Sequence, residues 1–183
     1  MKQPTYKKIK LILLLVFFQI SYSQSIKFGA KAGLNYTNTT GSEIKTEAIT
    51  NFNAGLVAEL SIAKGFAIQP ELLYTTQGAT YKTATKEFKN KLGYITIPIL
   101  LKINLSKAIL LELGPQAGFL LSEKEKFDVE KSNTYDFTAN VGLGLKITEN
   151  IFAQARYGMG LTETKTNSDI KNSVFQLSLG FFL

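Results

Sequence analysis

Tyr135-Asp-Phe-Thr-Ala-Asn-Val-Gly-Leu-Gly-Leu-Lys-Ile147 decides the fold of this chain. Phe137, Ala139, Val141, Leu143 and Leu145 fall on one parity; Asp136, Thr138, Asn140, Gly142, Gly144 and Lys146 fall on the other. Successive side chains of a strand point to opposite faces, so a period of two over this length predicts a β-strand with one apolar and one polar face. A helix needs apolar residues at three- and four-residue spacing, which is not sustained anywhere beyond Ser25.

The same alternation recurs on both sides of this stretch. It predicts strands over Ile26–Tyr36, Asn51–Ile62, Phe66–Gln77, Leu92–Ile103, Ile109–Leu121, Ile151–Leu161 and Ser173–Leu183, making eight with the first. Each is about 11 residues long, the length a tilted strand needs to cross a bilayer. Ala63-Lys-Gly65, Asn104-Leu-Ser-Lys107 and Thr148-Glu-Asn150 are tight connections. Thr37–Thr50, Gly78–Lys91, Ser122–Thr134 and Thr162–Asn172 are long, and rich in Lys, Glu, Thr and Asn. Short turns at one end and long polar loops at the other predict an all-β fold: an eight-stranded antiparallel up-and-down transmembrane β-barrel, both chain ends on the short-turn side.

Alternation fits a soluble barrel with its apolar face inward equally well. Three features favour the membrane form. The polar face is crowded with glycine (Gly29, Gly33, Gly55, Gly114, Gly118, Gly142, Gly144, Gly158, Gly160, Gly180), as a narrow eight-stranded interior requires. Tyr36, Phe52, Phe66, Tyr74, Tyr135, Phe175 and Phe181 sit near strand ends on the apolar face, where two interfacial girdles would lie. The chain also ends inside a strand, on Phe181-Phe-Leu183.

The inward parity carries charges of both signs: Lys31, Glu59, Glu71, Lys102, Glu112, Asp136, Lys146 and Arg156. Charges survive in a low-dielectric interior only when paired. These eight are therefore expected to form a barrel-interior network, with Glu71 and Lys102, on neighbouring strands, as partners. Such a network reads as a structural plug ahead of a solute path, because eight strands enclose a space that side chains just fill. Pro70 and Pro98 cannot donate to a ladder and are expected to mark a bulge or irregularity.

The N-terminus reads as an address. Lys2, Lys7, Lys8 and Lys10 precede Leu11-Ile-Leu-Leu-Leu-Val-Phe-Phe18, and Ser21-Tyr-Ser23 follows. That pattern predicts a cleaved secretory signal over residues 1–23 and a barrel domain over 24–183, since the apolar run falls short of the about 20 residues a membrane helix needs. Without the four leader lysines, 17 cations face 14 acids, and the net charge falls from +7 to +3. With a single arginine, Arg156, that balance gives no nucleic-acid signal.

The chain has no His, Cys or Trp. Zinc fingers, Ser-His-Asp triads, Cys-His pairs and disulfides are thereby excluded, and no cofactor, metal or enzymatic activity is expected. Gly142/Gly144 and Gly158/Gly160 lie in mid-strand with no following helix, so they are no phosphate loop.

Ile68-Gln-Pro-Glu-Leu-Leu-Tyr-Thr-Thr-Gln-Gly78, Tyr94-Ile-Thr-Ile-Pro-Ile-Leu-Leu-Lys102 and Leu113-Gly-Pro-Gln-Ala-Gly-Phe-Leu-Leu121 follow one another, then Gly142-Leu-Gly-Leu145 and Arg156-Tyr-Gly158. This ordered set resembles the PorT-like outer-membrane β-barrel family (porin family proteins) of Gram-negative, Bacteroidetes-type bacteria, over essentially the whole mature chain. The resemblance implies the fold, an outer-membrane location and contact with its lipid and insertion machinery. It implies no catalytic residues. The family's founding member acts in protein secretion to the cell surface. The chain departs from the usual insertion signal by ending on Leu183, after Phe181 and Phe182, instead of on an aromatic.

A structural or surface-interaction role is expected, with the long loops as the contact surface, since binding resides on loops held by a rigid scaffold. Ser122-Glu-Lys-Glu-Lys-Phe-Asp-Val-Glu-Lys131 and Thr37-Asn-Thr-Thr-Gly-Ser42 are the candidate contact segments for an extracellular or secretion partner. A narrow solute channel and a soluble periplasmic ligand-binding barrel are the alternatives.

Overall fold

The computed structural model describes residues 25–40, 46–82, 87–124, 135–162 and 171–183. The leader, residues 41–42 of one candidate loop segment and residues 125–131 of the other lie outside the described residues. Eight strands follow in order: β1 (Ile26–Thr40), β2 (Thr46–Ala63), β3 (Phe66–Lys82), β4 (Glu87–Asn104), β5 (Ile109–Lys124), β6 (Tyr135–Lys146), β7 (Ile151–Gly160) and β8 (Lys171–Phe182). Each pairs antiparallel with its sequence neighbour, and β8 returns to β1 to close the barrel. The closing seam runs from Gly29↔Phe182 to Thr40↔Lys171.

The period of two fixes which side chains enter the lumen. Phe137 and Leu143 are half-exposed on the outer wall, at 52% and 51%, whereas Asp136 and Thr138 between and beside such positions are buried. The apolar stripe therefore faces outward, and the lumen is mostly polar. Along the outer wall, Phe52 meets Tyr74 with ring centroids 5.8 Å apart, and Phe119 meets Tyr135 edge-on at 5.6 Å. Both pairs join adjacent strands, and Phe119–Tyr135 lies near the loop ends of β5 and β6, where an interfacial girdle is expected.

The short turns follow from their sequences. Lys64-Gly65 joins β2 to β3 with Gly65 at φ +84°, a left-handed conformation that favours glycine. The two four-residue turns are built alike. Ser106 Oγ accepts from the backbone N–H of Ala108 (3.3 Å) and Ile109 (3.0 Å). Thr148 Oγ1 accepts from Asn150 (3.2 Å) and Ile151 (2.9 Å). A hydroxyl in the second turn position replaces ladder partners that the reversing backbone has lost.

The strand lengths are corrected, and the prolines mark an irregularity without a bulge. β1 to β5 run to 15, 18, 17, 18 and 16 residues, against 12, 10 and 12 for β6 to β8, so five strands exceed the predicted length. Thr37–Thr40, Thr46–Thr50, Gly78–Lys82, Glu87–Lys91 and Ser122–Lys124, read above as loop, are strand. Above the bilayer both faces of a strand can be polar, which removes the alternation that marked the strands below. The prolines carry no register shift: pairing lapses after Pro70↔Ile99 and after Pro98↔Gln116, then resumes in register. The shifts lie between Ala48 and Asn53, Ser61 and Ala63, and Gly93 and Tyr94.

Candidate functional site: an ion-pair plug across the lumen

Arg156, on β7, reaches across the lumen to Glu71 on β3. Its Nη1 donates to Glu71 Oε2 at 3.0 Å and its Nη2 to Oε1 at 2.8 Å, a bidentate pair. Nη2 also lies 3.3 Å from Glu112 Oε2 on β5. Lys31 Nζ, from β1, completes the cluster 2.8 Å from Glu71 Oε2. Gln154 ties the ring shut, donating to Glu112 Oε1 at 2.7 Å and accepting from Lys31 Nζ at 3.0 Å. All of these side chains are buried.

A second arm descends toward the short turns. Gln69 Nε2 donates to Glu71 Oε1 at 2.7 Å, and Gln69 Oε1 accepts from Lys102 Nζ at 2.7 Å. Lys102 then pairs with Glu59. The expected Glu71–Lys102 pair is thus corrected to a bridge through Gln69. Lys102 lies opposite Ala67 in the β3–β4 ladder, four residues from Glu71, roughly 13 Å along the strand. Parity put both inward but at different heights.

Six of the eight expected residues therefore form one continuous network: Lys31, Lys102 and Arg156 against Glu59, Glu71 and Glu112. Three cations meet three carboxylates, so the buried plug is electrically neutral if all are ionised. The other two lie elsewhere. Asp136 is buried nearer the loops, accepting from Thr138 Oγ1 (3.3 Å) and Thr162 Oγ1 (3.2 Å). Lys146 is exposed at the short-turn mouth and makes no ion pair among the described residues. It is the last residue of β6, where the lumen opens to water.

Glycine lets the long side chains meet. Gly142 sits between Glu112 and Arg156 in register, and Lys31 lies between Gly55 and Gly180. A Cβ on Gly142 would come within 2.7 Å of the Ala155 carbonyl, and one on Gly144 within 2.8 Å of Glu112 Oε1. β6 is thus a bare strip over which β5 and β7 side chains join. The neutral amides Gln69 and Gln154 were missed by a search for charge; their signal was inward parity at the same heights as the ions.

Above the plug, a layer of amides and hydroxyls fills the lumen. Asn53 Nδ2 and Gln176 Nε2 donate to Asn35 Oδ1 at 2.8 and 3.1 Å, and Asn35 Nδ2 donates to Thr75 Oγ1 at 2.6 Å. The space bounded by Gln77, Asn140, Arg156 and Gly158 measures about 20 Å³, enough for about one water molecule.

The family profile of the outer membrane protein beta-barrel domain matches residues 21–166. The chain belongs to this family. No curated protein matches the sequence. Among solved structures, Neisserial surface protein A superposes with a TM-score of 0.57 at 13% identity, over 88% of this chain and 99% of that one. Ail, the attachment invasion locus protein of Yersinia pestis, gives 0.55 at 12% identity, over 86% and 98%. Ail in a phospholipid bilayer nanodisc gives 0.52 at 14% identity, over 87% and 100%. At such identities the likeness speaks for the fold alone. In this outer-membrane barrel the apolar belt faces lipid, and the short turns mark the periplasmic end.

Proposed function

We propose that this outer-membrane barrel is closed to solutes and acts at its surface, its long extracellular loops being the contact region for a partner. The neutral plug carries this reading. It spans β1, β2, β3, β4, β5 and β7 in one hydrogen-bonded network, so a solute path would require breaking buried ion pairs. A conducting pore would instead line its lumen with solvated charge. The absence of His and Cys supports a non-enzymatic role.

The finer placement rests on sequence. The ordered strand motifs support membership of the PorT-like group. The leader supports export with cleavage near Ser23–Gln24, followed by delivery to the outer-membrane insertion machinery. The test of closure is a planar-bilayer recording of the refolded wild-type protein. The expected result is a baseline without discrete steps; reproducible unitary conductance would overturn the reading in favour of a narrow solute channel.

A further inference from the structure

At the periplasmic end the barrel opens into a cavity of about 390 Å³, within the usual range for small-ligand sites. Phe152 and Phe182 form one wall, their ring centroids 4.7 Å apart. Lys102 Nζ lies 5.6 Å from one centroid and 5.7 Å from the other, within cation–π range. Asn150 Nδ2 donates to the Phe182 carbonyl at 2.9 Å, and Phe182 N–H donates to the Asn150 carbonyl at 2.8 Å, which anchors the β6–β7 turn to this wall.

The cavity is basic. Lys27, Lys102 and Lys146 line it against Glu59 and Glu149. Glu59 is committed to Lys102 in the plug. Lys27 reaches only the Glu149 backbone carbonyl, at 3.4 Å, and Lys146 stands exposed without an ion pair among the described residues. The charges at this end of the barrel point the same way. Among the described residues, the periplasmic side holds Lys27, Lys64, Lys107 and Lys146 against Glu149 alone, outside the neutral plug. A field of one sign focused into a low-dielectric cleft concentrates the opposite ion.

We propose that this vestibule binds an anionic group, carboxylate or phosphate, carried on an apolar or aromatic body. Lys27 on β1 and Lys146 on β6 hold the anion from across the mouth, and the Phe152–Phe182 wall receives the body. The site lies at the opposite end from the loops and is independent of what they contact.

The test uses the complete mature barrel in phosphatidylcholine nanodiscs, with N-benzoylglycine as probe and NMR as readout. The expected result is a saturable shift of the Phe152, Phe182 and Lys146 resonances, absent with the neutral N-benzoylglycinamide. Binding weakens at least tenfold in the Lys27→Gln/Lys146→Gln double variant and changes less than twofold in Lys64→Gln, whose turn lies outside the cavity. Both lysines of the double variant are exposed and outside the plug, so the fold is retained. No saturable shift, an equal response to the amide, or unchanged affinity in the double variant overturns the proposal. Nanodiscs containing phosphatidylglycerol separate the sources. If the same resonances move without probe and the probe is displaced, the occupant is a lipid headgroup; if they stay in place, it is a soluble anion.

Discussion

Arg156 is the only arginine of the chain, and it occupies the one position where a planar donor fork can hold two carboxylates at once. Replacing it with methionine leaves Glu71 and Glu112 buried with Lys31, Gln69 and Gln154 as their remaining partners. Breaking a buried pair by removing one partner costs about 3–5 kcal/mol, so Arg156→Met is expected to lose that much in urea unfolding of the lipid-refolded barrel. Adding Glu71→Gln should recover part of the loss, giving a coupling between the two sites. Additive effects in that cycle would show that the pair is not coupled. At this scale the sequence was legible in part. Inward parity identified all six charged members of the plug, because side-chain direction in a strand is a local property. It could not pair them, because height in the lumen depends on register and shear between strands. The same blindness to height grouped Asp136, nearer the loops, and Lys146, at the short-turn mouth, with the plug.

The strand is the element whose faces decide what the molecule touches. Val141 faces outward at mid-strand, so Val141→Arg is expected to cost about 2–4 kcal/mol in the same unfolding assay. Gly142 is a poor inward control, because a Cβ there would press on the Ala155 carbonyl at 2.7 Å. Gly118 serves better: its nearest neighbours would lie at 3.4 Å, an ordinary contact. Gly118→Ala should leave the midpoint nearly unchanged, and the reverse ranking would mean that the wall is inverted. The upper strands offer a second check. Backbone pairing of β3 with β4 continues to Lys82↔Glu87. Amide hydrogen exchange is therefore expected to show protection across Gly78–Lys82 and Glu87–Lys91 beyond that of solvated loops; full exchange within the dead time would contradict this pairing. These extensions escaped the sequence because their polar, Thr- and Lys-rich composition carries no hydropathy period, while their ladder does not depend on one.

For the whole molecule, closure is the property that matters. An outer-membrane barrel with every ladder satisfied resists detergent until heated, so the protein in isolated outer membranes should migrate differently on a gel before and after boiling. A single unshifted band, with the protein free in the periplasm, would contradict membrane insertion. The eightfold strand count, the antiparallel order and the outward apolar face were all legible, since each repeats a local signal. The uneven wall height was not.

The seam between β1 and β8 has a consequence in time. Seven of the eight ladders join strands adjacent in sequence and can zip as soon as each hairpin exists. The eighth joins β1 to β8, from Gly29↔Phe182 onward, and must wait for the eighth strand. Until then the chain is an open, curved ribbon with two raw edges, and lipid offers no partner for either, each unmet group costing several kcal/mol. Insertion must therefore be deferred, or the edges chaperoned, until β8 arrives. The last dozen residues act less as one more wall than as the latch whose arrival ends the wait.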